Sequence, residues 1–124
     1  MSLKFEILAD TNRSRAEKWH DGSINNWSLT DWSNAMAGEA GEACNAVKKL
    51  RRIEDGIKNI SEDESRQLSS GEQAKDKIAE ECADTLLYLD LLCQRIGRSL
   101  EDAVVAKFNK TSIEYGFPER LRQG

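Results

Sequence analysis

At 124 residues the chain is long enough for one hydrophobic core and too short for a cofactor domain beside a substrate domain. One Pro, eight Gly, 6% aromatic and 32% charged residues suit long helices better than short strands joined by turns, which argues against a β-sandwich or barrel. Acidic residues outnumber basic ones 22 to 18, a formal charge of −4, and no Lys/Arg block is large enough to follow a nucleic-acid backbone.

The longest apolar stretch starts at Thr85 and is stopped by Asp90, far short of the roughly 18 residues of a membrane span. The first residues, MSLKFE, hold no hydrophobic signal region, so a soluble, cytoplasmic protein is expected. Cys44, Cys82 and Cys93 are odd in number and lack C-x-x-C spacing, so they are read as small hydrophobes rather than metal ligands or a disulfide framework.

In chain order, a first helix is expected from Leu3 to about His20, followed by a turn-rich break at residues 21–26. Ser28 and Asp31 form a capping pair ahead of a helix from Leu29 to about Ile53, with Met36, Ala40, Ala43, Val47 and Leu50 as its apolar stripe. Residues 54–70 read as the long connection. Ser70 with Gln73 predicts the start of a third helix, which runs to about Ile96 with Ile78, Cys82, Thr85, Leu89 and Leu92 as its stripe and Gly97 as its stop. Ser99 and Asp102 start a fourth helix that Gly116 and Pro118 end. The fold class is therefore all-α: a single domain over residues 1–124, four-helix-bundle-like, with two long central antiparallel helices.

Shifting the first stripe by 42 residues superimposes it on the second. The same shift takes Glu39 to Glu81 and Glu42 to Asp84, so each helix carries a carboxylate pair at i and i+3 beside its apolar seam. Packed antiparallel, the pairs converge on one volume. Four carboxylates at the edge of a core raise one another's pKa or recruit a cation. An all-oxygen set points to Mg²⁺, with Mn²⁺ as a substitute. The sole histidine, His20, lies outside both pairs, which disfavours zinc and the Glu-x-x-His di-iron arrangement. An isolated E-x-x-E is ordinarily a solvated helix face; its repetition at one offset from two matching stripes turns the balance toward a metal site. Lys49, seven residues beyond Glu42, is placed to meet phosphate oxygens, while Lys48, Arg51 and Arg52 complement the helix C-terminus. Tyr88, one turn after Asp84, stays on the metal side of its helix, within reach of a sugar or a ligand carboxylate. Residues 38–41 lack the lysine and hydroxyl of a phosphate-binding loop, and one histidine gives no Ser/His/Asp triad.

Residues 37–52, AGEAGEACNAVKKLRR, followed by residues 80–90, EECADTLLYLD, resemble the E-x-x-E and E-x-x-D elements of the MazG-like all-α nucleoside triphosphate pyrophosphohydrolases. The later KFNK (107–110) and GFPERL (116–121) are similar to what such proteins carry downstream, and the resemblance covers residues 13–121. It implies Mg²⁺-dependent hydrolysis of a (d)NTP to the monophosphate and pyrophosphate, in pool sanitation or regulation, by a homodimer or homotetramer. Carried over, Glu39, Glu42, Glu81 and Asp84 are the metal ligands, and Glu39 or Glu42 is the catalytic base. Lys107 and Asn109 match a substrate-contacting element, and Trp27 or Trp32 would help form the base pocket. The chain departs from one common form of the family in having Gly38 where an extra acid precedes the first motif, while Glu80 retains its counterpart in the second. Two other functions stand beside this one: a catalytically silent helical bundle that binds nucleotides or a protein through the 54–70 loop, and a phosphoribosyl-ATP pyrophosphohydrolase.

Overall fold

The computed structural model describes residues 2–56 and 64–123, with only the backbone of 64–69. It is all-α, with α1 (Phe5–Trp19), a short 3₁₀ turn (Ile24–Asn26), α2 (Leu29–Glu54), α3 (Glu64–Arg95) and α4 (Leu100–Tyr115). No strand occurs among the described residues. Among the described residues no helix is long and apolar enough to cross a membrane.

The helix ends follow the local chemistry. The Ser28 hydroxyl accepts from the Asp31 N–H at 3.1 Å and the Asp31 carboxylate accepts from the Ser28 N–H at 3.0 Å, so two donors without an intrahelical partner are satisfied reciprocally. Ser99 caps α4 through the Asp102 N–H at 3.2 Å. Both α3 and α4 stop at a left-handed glycine: at Gly97 (φ 72°) the Arg98 N–H reaches Cys93 and the glycine N–H reaches Gln94, and the Gly116 stop (φ 73°) repeats the pattern on Ser112 and Ile113.

Three expectations are corrected. Helix α1 begins at Phe5, without a side-chain cap on Lys4, instead of at Leu3. Helix α3 begins at Glu64, so Ser70 is an interior residue of the helix and 64–70 are not connection. The remainder of the expected 54–70 contact loop falls largely on 57–63, outside the described residues. The third correction concerns two positions of the seam. Of the expected stripes, Met36, Ala40, Ala43 and Leu50 on α2 and Ile78, Thr85, Leu89 and Leu92 on α3 are covered, as are Glu39, Ala46 and Glu81, whereas Val47 is 51% exposed and Cys44 and Cys82 are exposed. The 42-residue correspondence survives, but it carries Glu39 and Glu81 in the seam instead of beside it.

The chain divides into two compact units, Met1–Ser33 with Leu89–Gly124, and Asn34–Tyr88. The first unit is centred on Trp32, fully buried with its indole N–H donated to the Ile24 carbonyl at 2.9 Å. Covering a tryptophan contributes roughly 4–6 kcal/mol. His20 and Trp27 pack against it with ring centroids 5.0 and 4.7 Å away. The same unit buries Asp90, which is 2% exposed and accepts from Asn12 at 2.9 Å and Gln94 at 3.0 Å; Gln94 also donates to the Ala9 carbonyl, tying α1 to the end of α3. The second unit is the helix pair formed by α2 and α3. They run antiparallel, because Glu39 meets Glu81 and Asp84 while Lys49, further along α2, shares a cleft with Lys77, further back on α3.

Candidate metal centre

The carboxylates lie where the helix pair is narrowest in side-chain size. Ala40, Ala43 and Ala46 are the small covered residues beside Glu39 on α2, whereas Gly38 and Gly41 are exposed, with nothing within 4 Å of where a Cβ would stand. Small neighbours let two helices approach closely, and the long Glu side chains then reach across the gap. One oxygen from each of Glu39, Glu81 and Asp84 falls within 4.8 Å of the others. Glu81 is 4% exposed, Glu39 half-buried and Asp84 exposed, so the group opens to solvent at one side.

Among the described residues, the buried side-chain oxygens without a hydrogen-bond partner are Oε2 of Glu39 and Oε2 of Glu81. Buried polar atoms are almost always partnered, and a positive ligand is one group that could satisfy two such oxygens in one acidic cluster. Burial pushes the Glu39 carboxyl above its ordinary value, and the charges of Glu42, Asp84 and Glu81 push it further. Glu81 moves the other way, held below its ordinary value first by the hydrogen bond from Lys77 and further by the neighbouring Glu42 and Glu39 carboxyls, against the effect of burial. The Lys77 ammonium sits 2.8 Å from Oε1 of Glu81 and 3.8 Å from Glu80, and its own pKa is raised by Glu81. Lys77 is the largest of the influences that hold Glu81 in its charged form. The donor set fits a hard divalent cation: oxygen donors only, with one oxygen each of Glu39 and Glu81 buried and without a hydrogen-bond partner.

Of the four expected ligands, Glu39, Glu81 and Asp84 come together. Glu42 is exposed beside them, near enough to act electrostatically on Glu39 and Lys77. Glu42 also lines a cleft of about 300 Å³ with Asn45, Ala46, Lys49, Lys77 and Glu81, which places the expected Lys49 next to the cluster. Arg51 is engaged elsewhere, paired with Asp55 at 2.9 Å. Tyr88, half-buried, closes the same unit at the far end of its α3 segment.

The remaining expected residues belong to the other unit. Trp32 is fully buried and offers no open ring face to a base, so it packs the core; Trp27 is half-buried against His20, with centroids 4.4 Å apart. Lys107 is exposed. The Asn109 amide is used at both ends, donating to the Leu121 carbonyl at 3.0 Å and accepting the Leu121 N–H at 2.8 Å, which straps the C-terminal segment to α4.

Lys77 and Asn45 were not found from the sequence. The signal for Lys77 was present, since it stands four residues before Glu81, the spacing of a helical ion pair. Asn45 carried none, being one polar residue among many on an exposed face.

Comparison with family models, with curated proteins and with solved structures found no match for this chain.

Proposed function

We propose that this protein is a divalent-cation-dependent nucleoside triphosphate pyrophosphohydrolase, as the resemblance of its carboxylate motifs to MazG-like enzymes implies. The observation that carries the reading is the convergence of Glu39, Glu81 and Asp84 around two buried, unpartnered oxygens.

Glu39, Glu81 and Asp84 would hold the ion, Mg²⁺ or in its place Mn²⁺. Bound there, it would supply charge neutralisation for a polyphosphate and lower the pKa of a coordinated water. The protein's own groups provide the rest. Lys49, on the cleft wall beside Glu42, meets phosphate oxygens as a point charge. Glu42, exposed at the rim, is the carboxylate left outside the three-oxygen group, which makes it the better of the two candidate bases for a water proton. Exposed apolar residues on α4 and the tail after it, Val104, Phe108, Ile113 and Phe117, support assembly into a homodimer or homotetramer, and the proposed enzyme acts on nucleotide pools in the cytoplasm.

The test is a pyrophosphate-release screen over dNTPs, NTPs and phosphoribosyl-ATP with Mg²⁺. Turnover of one or more nucleotides is expected. Glu42→Gln and Asp84→Asn should each lower it at least about 100-fold with helical content unchanged; undiminished turnover in both would remove the assignment. One observation favours a second reading, a silent module: the Lys77–Glu81 pair already neutralises part of the cluster. That reading gains if nucleotide binds under saturating Mg²⁺ and no product forms.

A further inference from the structure

Lys77 has no place in the hydrolytic scheme as it stands, yet among the described residues it is the cation paired with the acidic group. Its ammonium lies on Oε1 of Glu81, the most buried of the three converging carboxylates, while Oε2 of that same carboxylate is buried with no partner. One side of Glu81 is therefore satisfied by an exposed, flexible lysine and the other by nothing.

An ammonium and a divalent ion compete for such a carboxylate. The lysine carries one charge, donates hydrogen bonds and is tethered by a four-carbon stem that is largely in solvent. The lysine side chain is 60% exposed and the Glu81 side chain 5%, so the ammonium rehydrates on leaving, and an ion that takes its place keeps the buried carboxylate compensated. Released from Glu81, the Lys77 ammonium does not leave the neighbourhood. It borders the cleft of about 300 Å³ that also holds Lys49 and Asn45, with Glu42 at its edge. Two ammonium groups from opposite helices and one amide form a lining suited to an anion with several oxygens along a chain.

We propose that Lys77 is a resident cation that the divalent ion displaces: it occupies Glu81 in the ion-free protein and, once freed, joins Lys49 on the oxygens of a polyphosphate lying in the cleft. This rests on reading the carboxylate cluster as a divalent-cation site. The consequence is ordered loading. The ion takes Glu81 first, and the polyphosphate subsite acquires its second ammonium only then.

The test uses the full chain and two measurements that do not depend on turnover. Mn²⁺ binding is followed by the electron paramagnetic resonance of free Mn²⁺, and binding of the Mn²⁺ complex of inorganic tripolyphosphate by calorimetry. Wild type, Lys77→Met, Lys77→Gln, Lys77→Arg and Glu81→Gln are compared, with circular dichroism confirming helical content. Lys77→Met and Lys77→Gln should bind Mn²⁺ about three- to tenfold more tightly than wild type, and tripolyphosphate about tenfold more weakly, while Lys77→Arg stays near wild type in both. Unchanged or weaker Mn²⁺ binding in both neutral variants overturns displacement. Tighter Mn²⁺ binding with unchanged tripolyphosphate affinity overturns the second role. Failure of the underlying reading looks different: wild type, Lys77→Met and Glu81→Gln then share one weak Mn²⁺ affinity, and the proposal falls with it.

Discussion

Among the described residues two carboxylates are almost completely buried, one in each unit, and their surroundings are opposite. Asp90 accepts hydrogen bonds from Asn12 and Gln94, and the Gln94 amide continues to the α1 backbone, so the charge is embedded in donors that hold it and are held by it. Glu81 has a lysine on one oxygen and nothing on the other, with two more carboxylates in front of it. A satisfied buried charge specifies a structure. An unsatisfied one stores an affinity.

The contrast is broken most severely from the Trp32 side. Trp32→Ala should cost about 3–5 kcal/mol, because the cavity is large and the Ile24 carbonyl loses its donor. The measurement is chemical denaturation followed by circular dichroism. Asp90→Ala should follow at about 2–4 kcal/mol, since Asn12 and Gln94 lose their common acceptor. In the other unit, Glu81→Gln without metal should lower the thermal midpoint far less than Asp90→Ala, because loss of the Lys77 ion pair is offset by relief of repulsion from Glu39 and Asp84. A loss as large as that of Asp90→Ala would make the two carboxylates alike and dissolve the comparison.

Metal should act on one unit's carboxylates only. Mg²⁺ at about a hundred times its dissociation constant should stabilise the wild type by about 2.7 kcal/mol, an effect removed by a chelator and absent from Glu81→Gln. Thermal melts with and without Mg²⁺ check it.

The smallest effect is that of pH on the metal-free protein. The Glu39 pKa is raised in the folded state above the ordinary 4.5, so its contribution is fully present below about pH 4.5 and lost as pH rises through the raised value. Glu81, lowered by Lys77, contributes the opposite way: its stabilisation holds above about pH 4.5 and is lost as pH falls through the lowered value. Subtracting the melting profile of Glu39→Gln from that of wild type, both with chelator, should leave a difference that declines as pH rises through this window. A flat or rising difference would show that burial and the neighbouring charges do not act on Glu39 as described.

Much of this was legible in the chain. Capping pairs at Ser28/Asp31 and Ser99/Asp102 and the stops at Gly97 and Gly116 are local chemistry, set by hydrogen bonds within a turn, and the structure forms each of them. The start of α3 was misread because Ser70 and Gln73 have the form of a cap, yet a cap residue inside a longer helix has no free donors to serve. The seam differed at two positions because hydrophobicity pointed to Val47 and Cys82, while the geometry covers Ala46 and Glu81 instead. In a segment rich in alanine the apolar stripe is faint, and charged residues enter the seam when closeness of the helices matters more than apolar area. Asn109 shows the reverse limit: its spacing to Leu121 spans an irregular tail whose path no periodicity encodes.

The two open glycines of α2 have a thermodynamic side. Gly38 and Gly41 touch nothing and have ordinary helical backbones, so each weakens the helix by about 1 kcal/mol relative to alanine without serving a turn or a close contact within this chain. They flank Glu39. The helix is therefore locally softest where its negative charge is densest, and its amides there should be among the first of α2 to exchange with solvent. Anything that ties Glu39 to α3 acts as a clamp on that soft turn, so occupancy of the centre can be followed as slowed exchange at residues 38–42, without a spectroscopic metal or a chemical product.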